Sequence, residues 1–506
     1  MSTRKVRSLS WIVVGFVGGI LVSLGISVAA QRGEPLPLKG LQQFANVFGA
    51  IKSSYVEPVS DQQLIDDAIR GLFADLDPHS VYLDEEGYKQ MQDITRGGFG
   101  GLGIEIGTED GMPKVIAPIE DTPAARAGIL TGDLITRIND EPTKGMSLND
   151  AVKKMRGDPG TPIDLTIQRA GSPKPLKFHI VREMIKTRSV RGKMLPGDIA
   201  YVRISQFQDR TTSDLVRMLG SLSPKSAPKG VILDLRNDPG GLLDGAIGVS
   251  SVFLEPGKLV VSTKGRIPSS NEEFYARRLT SEHGFGLAGG VGQPPAWART
   301  VPLVVLVNVG SASASEIVAG ALQDHKRAQI LGNRTFGKGS VQSVLQLSED
   351  TGIKLTTARY YTPSGRSIQL TGVVPDHAVD DSAAGNLFQL QREVDLQHHL
   401  ENQADAKRTV GEGEEEDDFV QGEIKMFEFG GDDDWQLRQA VNALQGRPIL
   451  KSDPAQVREA KAKATARDGS ADAAATAPSA EKKTLNDPGT AVERYRVTPQ
   501  GLIRMP

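Results

Sequence analysis

Two short strings hold the residues best suited to chemistry. One is Asn308-Val309-Gly310-Ser311-Ala312-Ser313-Ala314-Ser315-Glu316. The other is Thr335-Phe336-Gly337-Lys338-Gly339-Ser340-Val341-Gln342. The serine-rich string follows an apolar run, Leu303–Val307, and leads into another, Ile317 to Leu322, so it reads as the turn between a buried strand and a helix. A serine at such a turn is exposed at the sheet end, beside backbone N–H groups the helix leaves unused, where the helix dipole favours an oxyanion. Taken alone, the string reads equally well as a plain N-cap serine.

A serine hydroxyl needs a base, most often histidine. The chain has seven histidines. His398 and His399 lie towards the tail, and His79 and His179 lie outside the core stretch. His325, next to Asp324, stays open as the centre of a Ser–His–Asp relay, although neighbouring side chains tend to diverge. Lys338 is the other candidate. A lysine accepts a proton only when neutral, which burial favours, and glycines on both sides let the chain turn and carry the amine inward. An exposed turn lysine and a phosphate loop are competing readings of Gly-Lys-Gly-Ser, the latter without its full pattern. A third string, Asp234-Leu235-Arg236-Asn237-Asp238-Pro239-Gly240-Gly241-Leu242, follows the apolar run Val231–Leu235. Its paired glycines either offer N–H groups to an anionic intermediate or merely form a turn.

The elements around these strings fall into zones. From Asp198 to about Asp380, strand and helix signals alternate, which predicts an α/β core. Residues 97–183 hold short strand signals (Ile104–Ile106, Val115–Ile119, Leu134–Ile138, Ile163–Ile167) and two helix starts, at Thr122-Pro123 and Ser147. Residues 40 to 95 read as helical, with Phe44, Val47, Phe48 and Ile51 on one face and a second helix over Asp61–Asp75. The stretch Lys264 to Trp297 reads as a mobile loop near the site or a surface excursion. Beyond Asp380, Asn386–Leu400 and Asp434–Leu444 are expected as helices. The acidic runs Glu414–Asp418 and Asp432–Asp434 read as solvated, and residues 451–490 as disordered.

Composition narrows the classes. A chain of 506 residues suggests roughly two to four domains, and 39% hydrophobic residues suffice for real cores. A net charge of −3 provides no field for nucleic acid. The absence of cysteine excludes disulfides, thiolate metal sites and a cysteine nucleophile. Arg4, Lys5 and Arg7 precede an uncharged run from Trp11 to Ala30, and Ser27-Val28-Ala29 resembles a cleavage site. This is a secretion signal or a membrane anchor, with the rest of the chain exported to a periplasmic or other extracytoplasmic location.

Taken in order, these strings resemble the C-terminal processing (tail-specific) peptidase family over residues 40 to about 380. Leu76-Asp77-Pro78-His79-Ser80, the Gly-rich stretch 97–103 that opens a PDZ domain, and Tyr360-Tyr361-Thr362-Pro363-Ser364-Gly365-Arg366 belong to the match. The resemblance implies a crotonase-like α/β protease core with an inserted PDZ domain and a helical N-terminal region. It makes Ser313 the nucleophile, Lys338 the base and Gln342 the residue that orients the lysine. The N–H groups of Ala314 and of Gly240 or Gly241 become the oxyanion hole, with Asp324 and Glu316 in support. The PDZ loop Gly101-Leu102-Gly103 would receive a substrate carboxylate, and the strand from Ile104 an added peptide strand. Arg156 stands where a related enzyme type has a PDZ switch arginine.

The expected division is 1–30 signal peptide or membrane anchor, 31–96 helical region, 97–183 PDZ domain, 184–380 protease core, 381–450 partly helical extension and 451–506 disordered tail. No cofactor is expected. Substrates would be unfolded or tail-exposed proteins. Self-association through terminal helices, an adaptor protein and membrane attachment through the N-terminus complete the expected partners. The competing reading is a silent PDZ scaffold that binds tails without cutting them.

Overall fold

The two apolar runs that flank the candidate strings become adjacent parallel strands, Gly230–Asp234 and Leu303–Val307, with every residue buried. In this computed structural model they lie at the centre of a six-stranded sheet ordered Val190–Leu195, Ile199–Ile204, Gly230–Asp234, Leu303–Val307, Gln329–Gly332, His377–Ala378. Only the first pair is antiparallel. Residues 37–402 are described other than 110, 120–121, 170–171, 173, 187, 224–225, 280–291 and 388–390, together with 427–459, 494–498 and 501–505.

Side chains alternate across this sheet. Val231, Leu233, Val305 and Val307 pack under the helices Thr211–Leu222, Leu243–Phe253 and Ala314–Asp324. Ile232, Val304 and Leu306 face Leu437 and Ala440 of the helix Trp435–Leu444. Apolar burial on both faces explains why these strands read as continuous apolar runs. A second, antiparallel sheet joins Val81–Leu83, Gly352–Tyr361, Leu259–Gly265 and Glu272–Tyr275, with Ser340–Gln346 paired to Gly352–Tyr361. A third sheet carries Ile104–Glu109 at its edge, followed by Met112–Pro118, Leu134–Ile138, Pro162–Gln168 and Leu176–Val181. It packs on Ala124 and on Ala151 and Met155 of the helix Leu148–Met155.

The chain divides into two units, Met1–Leu72 and Phe73–Pro506. In the first, Leu38–Ser54 and Asp61–Gly71 are helices, the latter capped by the Ser60 hydroxyl and ending short of the expected Asp75.

Several expectations beyond the core are corrected. Asn386–Leu400 is not one helix: its described part carries a single short turn, Glu393–Asp395. Side chains pin this strap to the core, with Arg392 donating to the carbonyls of Thr335, Leu370 and Thr371, and such bonds compete with the helical ladder. The stretch from Lys264 contains the strand Glu272–Tyr275, paired back onto Leu259–Gly265, so it is part of a sheet there; residues 280–291 lie outside the description. Asp434 of the acidic run is buried. The tail is ordered at its start, where Lys451 O accepts from Asp380 N and Asp453 N donates to Ala383 O, and strands Arg494–Thr498 and Gly501–Met505 form a hairpin. The basic and apolar head and Glu414–Asp418 lie outside the described residues.

Candidate active site

Ser313 is the N-cap of the helix Ala314–Asp324, with φ 54° and ψ −110°. A positive φ is uncommon for a side-chain-bearing residue and persists only where surroundings enforce it. Serine and Glu316 are the residue types of a capping box, but only the glutamate half forms: Ser313 N donates to Glu316 Oε2 at 2.8 Å, while the serine hydroxyl makes no cap bond. The hydroxyl is therefore left for other chemistry.

Glu316 also receives Lys338. Its Oε2 accepts Lys338 N at 3.0 Å, and its Oε1 accepts Gly337 N at 2.7 Å and Thr335 Oγ1 at 2.5 Å. Thr335 Oγ1 in turn accepts from Val373 N, so its own proton is committed to the glutamate. From the other side, the buried Tyr360 hydroxyl donates to Ser313 O at 3.1 Å and contacts Lys338 O. The two residues are thus fixed side by side through their backbones. Burial pushes Glu316 up to about 7 while its four donors pull against that. Burial, followed by repulsion from Lys354, lowers Lys338 to about 8, with Glu393, Glu316 and Asp77 opposing. Among the described residues Lys338 Nζ has no hydrogen-bond partner.

The glycine turn lies against Ser313. Ala312 N and Ser315 Oγ both donate to Asp238 O, and Asn237 N donates to Asn308 Oδ1. A Cβ on Gly240 would fall 2.9 Å from both Ala314 N and Ser313 Cβ. Asp238 Oδ1 already takes the Gly240 N–H at 2.8 Å. The N–H groups of Gly241 and Ala314 donate to no group among the described residues, whereas that of Gly240 is taken by Asp238.

Other expected residues fall elsewhere. Gln342 Nε2 donates to Ser340 Oγ and Thr356 Oγ1, and no hydrogen bond joins it to Lys338 among the described residues. Asp324 ends the helix that Ser313 begins, about 16 Å away at 1.5 Å per residue. It holds Ser364 N and Arg366, so any support it lends is to that turn. His325 is at the same far end, its Nε2 against Leu259 O at 2.7 Å, which removes the Ser–His–Asp relay. Sequence reasoning passed over Thr335, Tyr360, Lys354 and Glu393. Glu393 is buried and meets His79 Nε2 at 2.7 Å and Gln369, whose Oε1 accepts Gly339 N beside the lysine. The signal for this network is Leu76–Ser80: Asp77 takes bonds from His79 N, Ser80 and Thr356, which outweigh burial and bring it below the usual carboxylate range.

In the third sheet, Ile104–Glu109 pairs among the described residues with Met112–Pro118 alone, which leaves its other edge open there for an added strand. Leu102 N and Gly103 N just before it donate to no group among the described residues. Arg156, at the end of the helix Leu148–Met155, lies over the Phe99 ring at 4.7 Å, and the adjoining Gly157 N donates to Gly100 O.

Family models match in three stretches: peptidase family S41 over residues 198–379, a PDZ domain over 114–169 and the activating protease CtpB N-terminal domain over 26–87. A carboxy-terminal-processing protease of Bartonella bacilliformis is 43% identical over 447 residues, which cover 86% of this chain and 96% of the relative. The chain belongs to the carboxy-terminal-processing serine proteases of family S41. Within this family, the carboxy-terminal processing protease CtpA of Bacillus subtilis is 33% identical, covering 69% of this chain and 71% of the relative. A probable CtpA-like serine protease of Staphylococcus aureus is also 33% identical, with 75% and 74% covered. The S41 match takes in both candidate strings and the glycine turn, and the protease reading displaces that of a silent scaffold.

Proposed function

We propose that this S41 protease is an endopeptidase working through Ser313 and Lys338 in a crotonase-like core. The observation that carries the reading is the single carboxylate of Glu316, which gathers the N–H groups of both residues while leaving the serine hydroxyl and the lysine amine uncommitted. Neutral Lys338 accepts the Ser313 proton as Oγ attacks a peptide carbonyl. The tetrahedral oxyanion takes hydrogen bonds from Ala314 N and Gly241 N. The protonated lysine gives its proton to the leaving amine, an acyl-enzyme remains, and water repeats the cycle with the lysine again as base. Gln342 acts at one remove, through Ser340 and Thr356.

The substrate is an exported protein with an exposed apolar C-terminus. Its carboxylate meets Leu102 N and Gly103 N, and its last residues add a strand beside Ile104–Glu109. Residues 97–183 act as the PDZ unit and 184–380 as the protease core, and Arg156 on Phe99 ties the helix Leu148–Met155 to the start of the PDZ unit. The N-terminal segment directs export or anchors the chain, and self-association or an adaptor regulates it.

Wild type, Ser313→Ala, Lys338→Ala and His325→Ala are compared for cleavage of an unfolded protein with an apolar tail. Folded but inert serine and lysine variants beside an active His325→Ala are expected. Loss of cleavage in His325→Ala alone overturns the mechanism.

A further inference from the structure

The strand end that carries the glycine turn is tied to a segment some two hundred residues further along. Arg236 is fully buried, and its guanidinium bonds two carboxylates. Nε and Nη2 donate to Asp234 at 3.0 and 2.6 Å; Nη1 and Nη2 donate to Asp434 at 2.8 and 2.6 Å. Gln436 Oε1 accepts a further bond from Nη1 at 3.1 Å. The Phe429 ring lies 4.4 Å from the guanidinium carbons of both Arg236 and Arg203. Arg203 reaches Asp234 at 3.2 Å, and the Tyr201 hydroxyl donates to the same carboxylate.

Two arginines and two aspartates therefore balance, with Arg236, Asp234 and Asp434 wholly buried and Arg203 at the margin, and one carboxylate and the ring come from the C-terminal segment. Without them the site would hold two cations against one anion, a costly excess when buried. Asp434 also shapes its own segment: it caps the helix Trp435–Leu444 through Leu437 N and accepts Gly430 N. Arg236 directly precedes Asn237, whose φ is 52°, and the turn reaches Gly241 five residues on. The nucleophile loop holds the middle of that turn, through Asn308 and Asp238, and the C-terminal segment holds its root.

We infer that Asp434 is a positioning residue for catalysis, acting through Arg236 to hold the Gly241 donor where the oxyanion forms. The S41 protease is then competent only with its C-terminal segment docked on the sheet. This rests on the Ser313 mechanism above.

The test uses the full chain and a chromogenic peptide ester, following the initial burst of acylation. Burst amplitude counts folded sites, and burst rate reads transition-state stabilisation. Asp434→Asn keeps the helix cap and the packing but removes the charge. Its burst rate is expected to fall about tenfold or more with amplitude and KM as in wild type. Leu437→Ala loosens the same helix without touching Arg236 and is expected to lower the melting temperature while leaving the rate unchanged. A normal rate with reduced amplitude in Asp434→Asn, or an equal fall in rate in Leu437→Ala, overturns the inference, because either assigns the contact to stability alone. If Asp434→Asn yields no folded protein, Gln436→Leu decides: a rate about threefold down supports the inference and an unchanged rate overturns it. A wild type with no burst at all overturns the Ser313 mechanism itself, a distinguishable result.

Discussion

Ser313 and Lys338 donate their backbone N–H groups to one and the same oxygen, Oε2 of Glu316, at 2.8 and 3.0 Å. The two residues lie 25 positions apart in the chain, so this buried carboxylate does what neither local string can do alone: it sets their separation.

Glu316→Gln is therefore expected to be far more damaging than its size suggests. The amide replaces one acceptor oxygen with a donor that faces N–H or O–H groups, leaving buried donors unmet at a cost of about 1–3 kcal/mol. Steady-state kinetics should show kcat reduced about a hundredfold in protein that still folds. A kcat within a few fold of wild type would remove Glu316 from the machinery.

The pH profile follows from Lys338. With the lysine lowered to about 8, kcat/KM should rise with pH as the amine loses its proton and level off above that value. Lys354→Met removes the like charge that helps to hold the value down, so the midpoint should move to higher pH and the rate at neutral pH should fall. The same shift bears on stability. The fold binds fewer protons at this site than the unfolded chain between about 8 and 10.5, so stability rises with pH across that window. A profile whose midpoint ignores Lys354→Met would contradict the assignment.

Gly241→Ala tests the donor. Its φ of 145° and the closeness of the Phe207 carbonyl leave no room for a Cβ without moving the turn. A loss of about 10²–10³ in kcat is expected, as for removal of one oxyanion donor, with KM little changed. An active variant would point to another donor.

The peptide-binding edge predicts dependence on a free carboxylate. Amidating the C-terminus of an apolar tail peptide should weaken its binding about tenfold or more, measured by calorimetry, because a charge-assisted pair of N–H contacts is lost. Equal affinity for acid and amide would move recognition away from Leu102 and Gly103.

Much of this was legible in the chain itself. Val231–Leu233 and Leu303–Val307 announce themselves as unbroken apolar stretches because burial on both faces leaves no polar position to interrupt them. Ser313 and Lys338 stand out because small neighbours surround each. The alternation of strand and helix placed Ser313 at a sheet end, and the flanking glycines marked a turn at Lys338. What remained hidden depends on long-range contacts, which no local pattern encodes. The strap at 391–402 has helical composition, yet Arg392 and Glu393 are spent on the core, and that overrides propensity. Asp432–Asp434 reads as a solvated run, yet Asp434 is buried because a guanidinium 198 residues away meets it. That the Gly240 N–H is taken by Asp238 while the Gly241 N–H is left over was likewise invisible in the paired glycines. Histidine was set aside by the length of one helix, which puts His325 at the end opposite Ser313. The amino-acid sequence determined which groups are present and how the strands and helices of the core fold locally. Only the tertiary structure decided which of them meet, because hydrogen bonding and charge balance in a dry interior depend on distance through space.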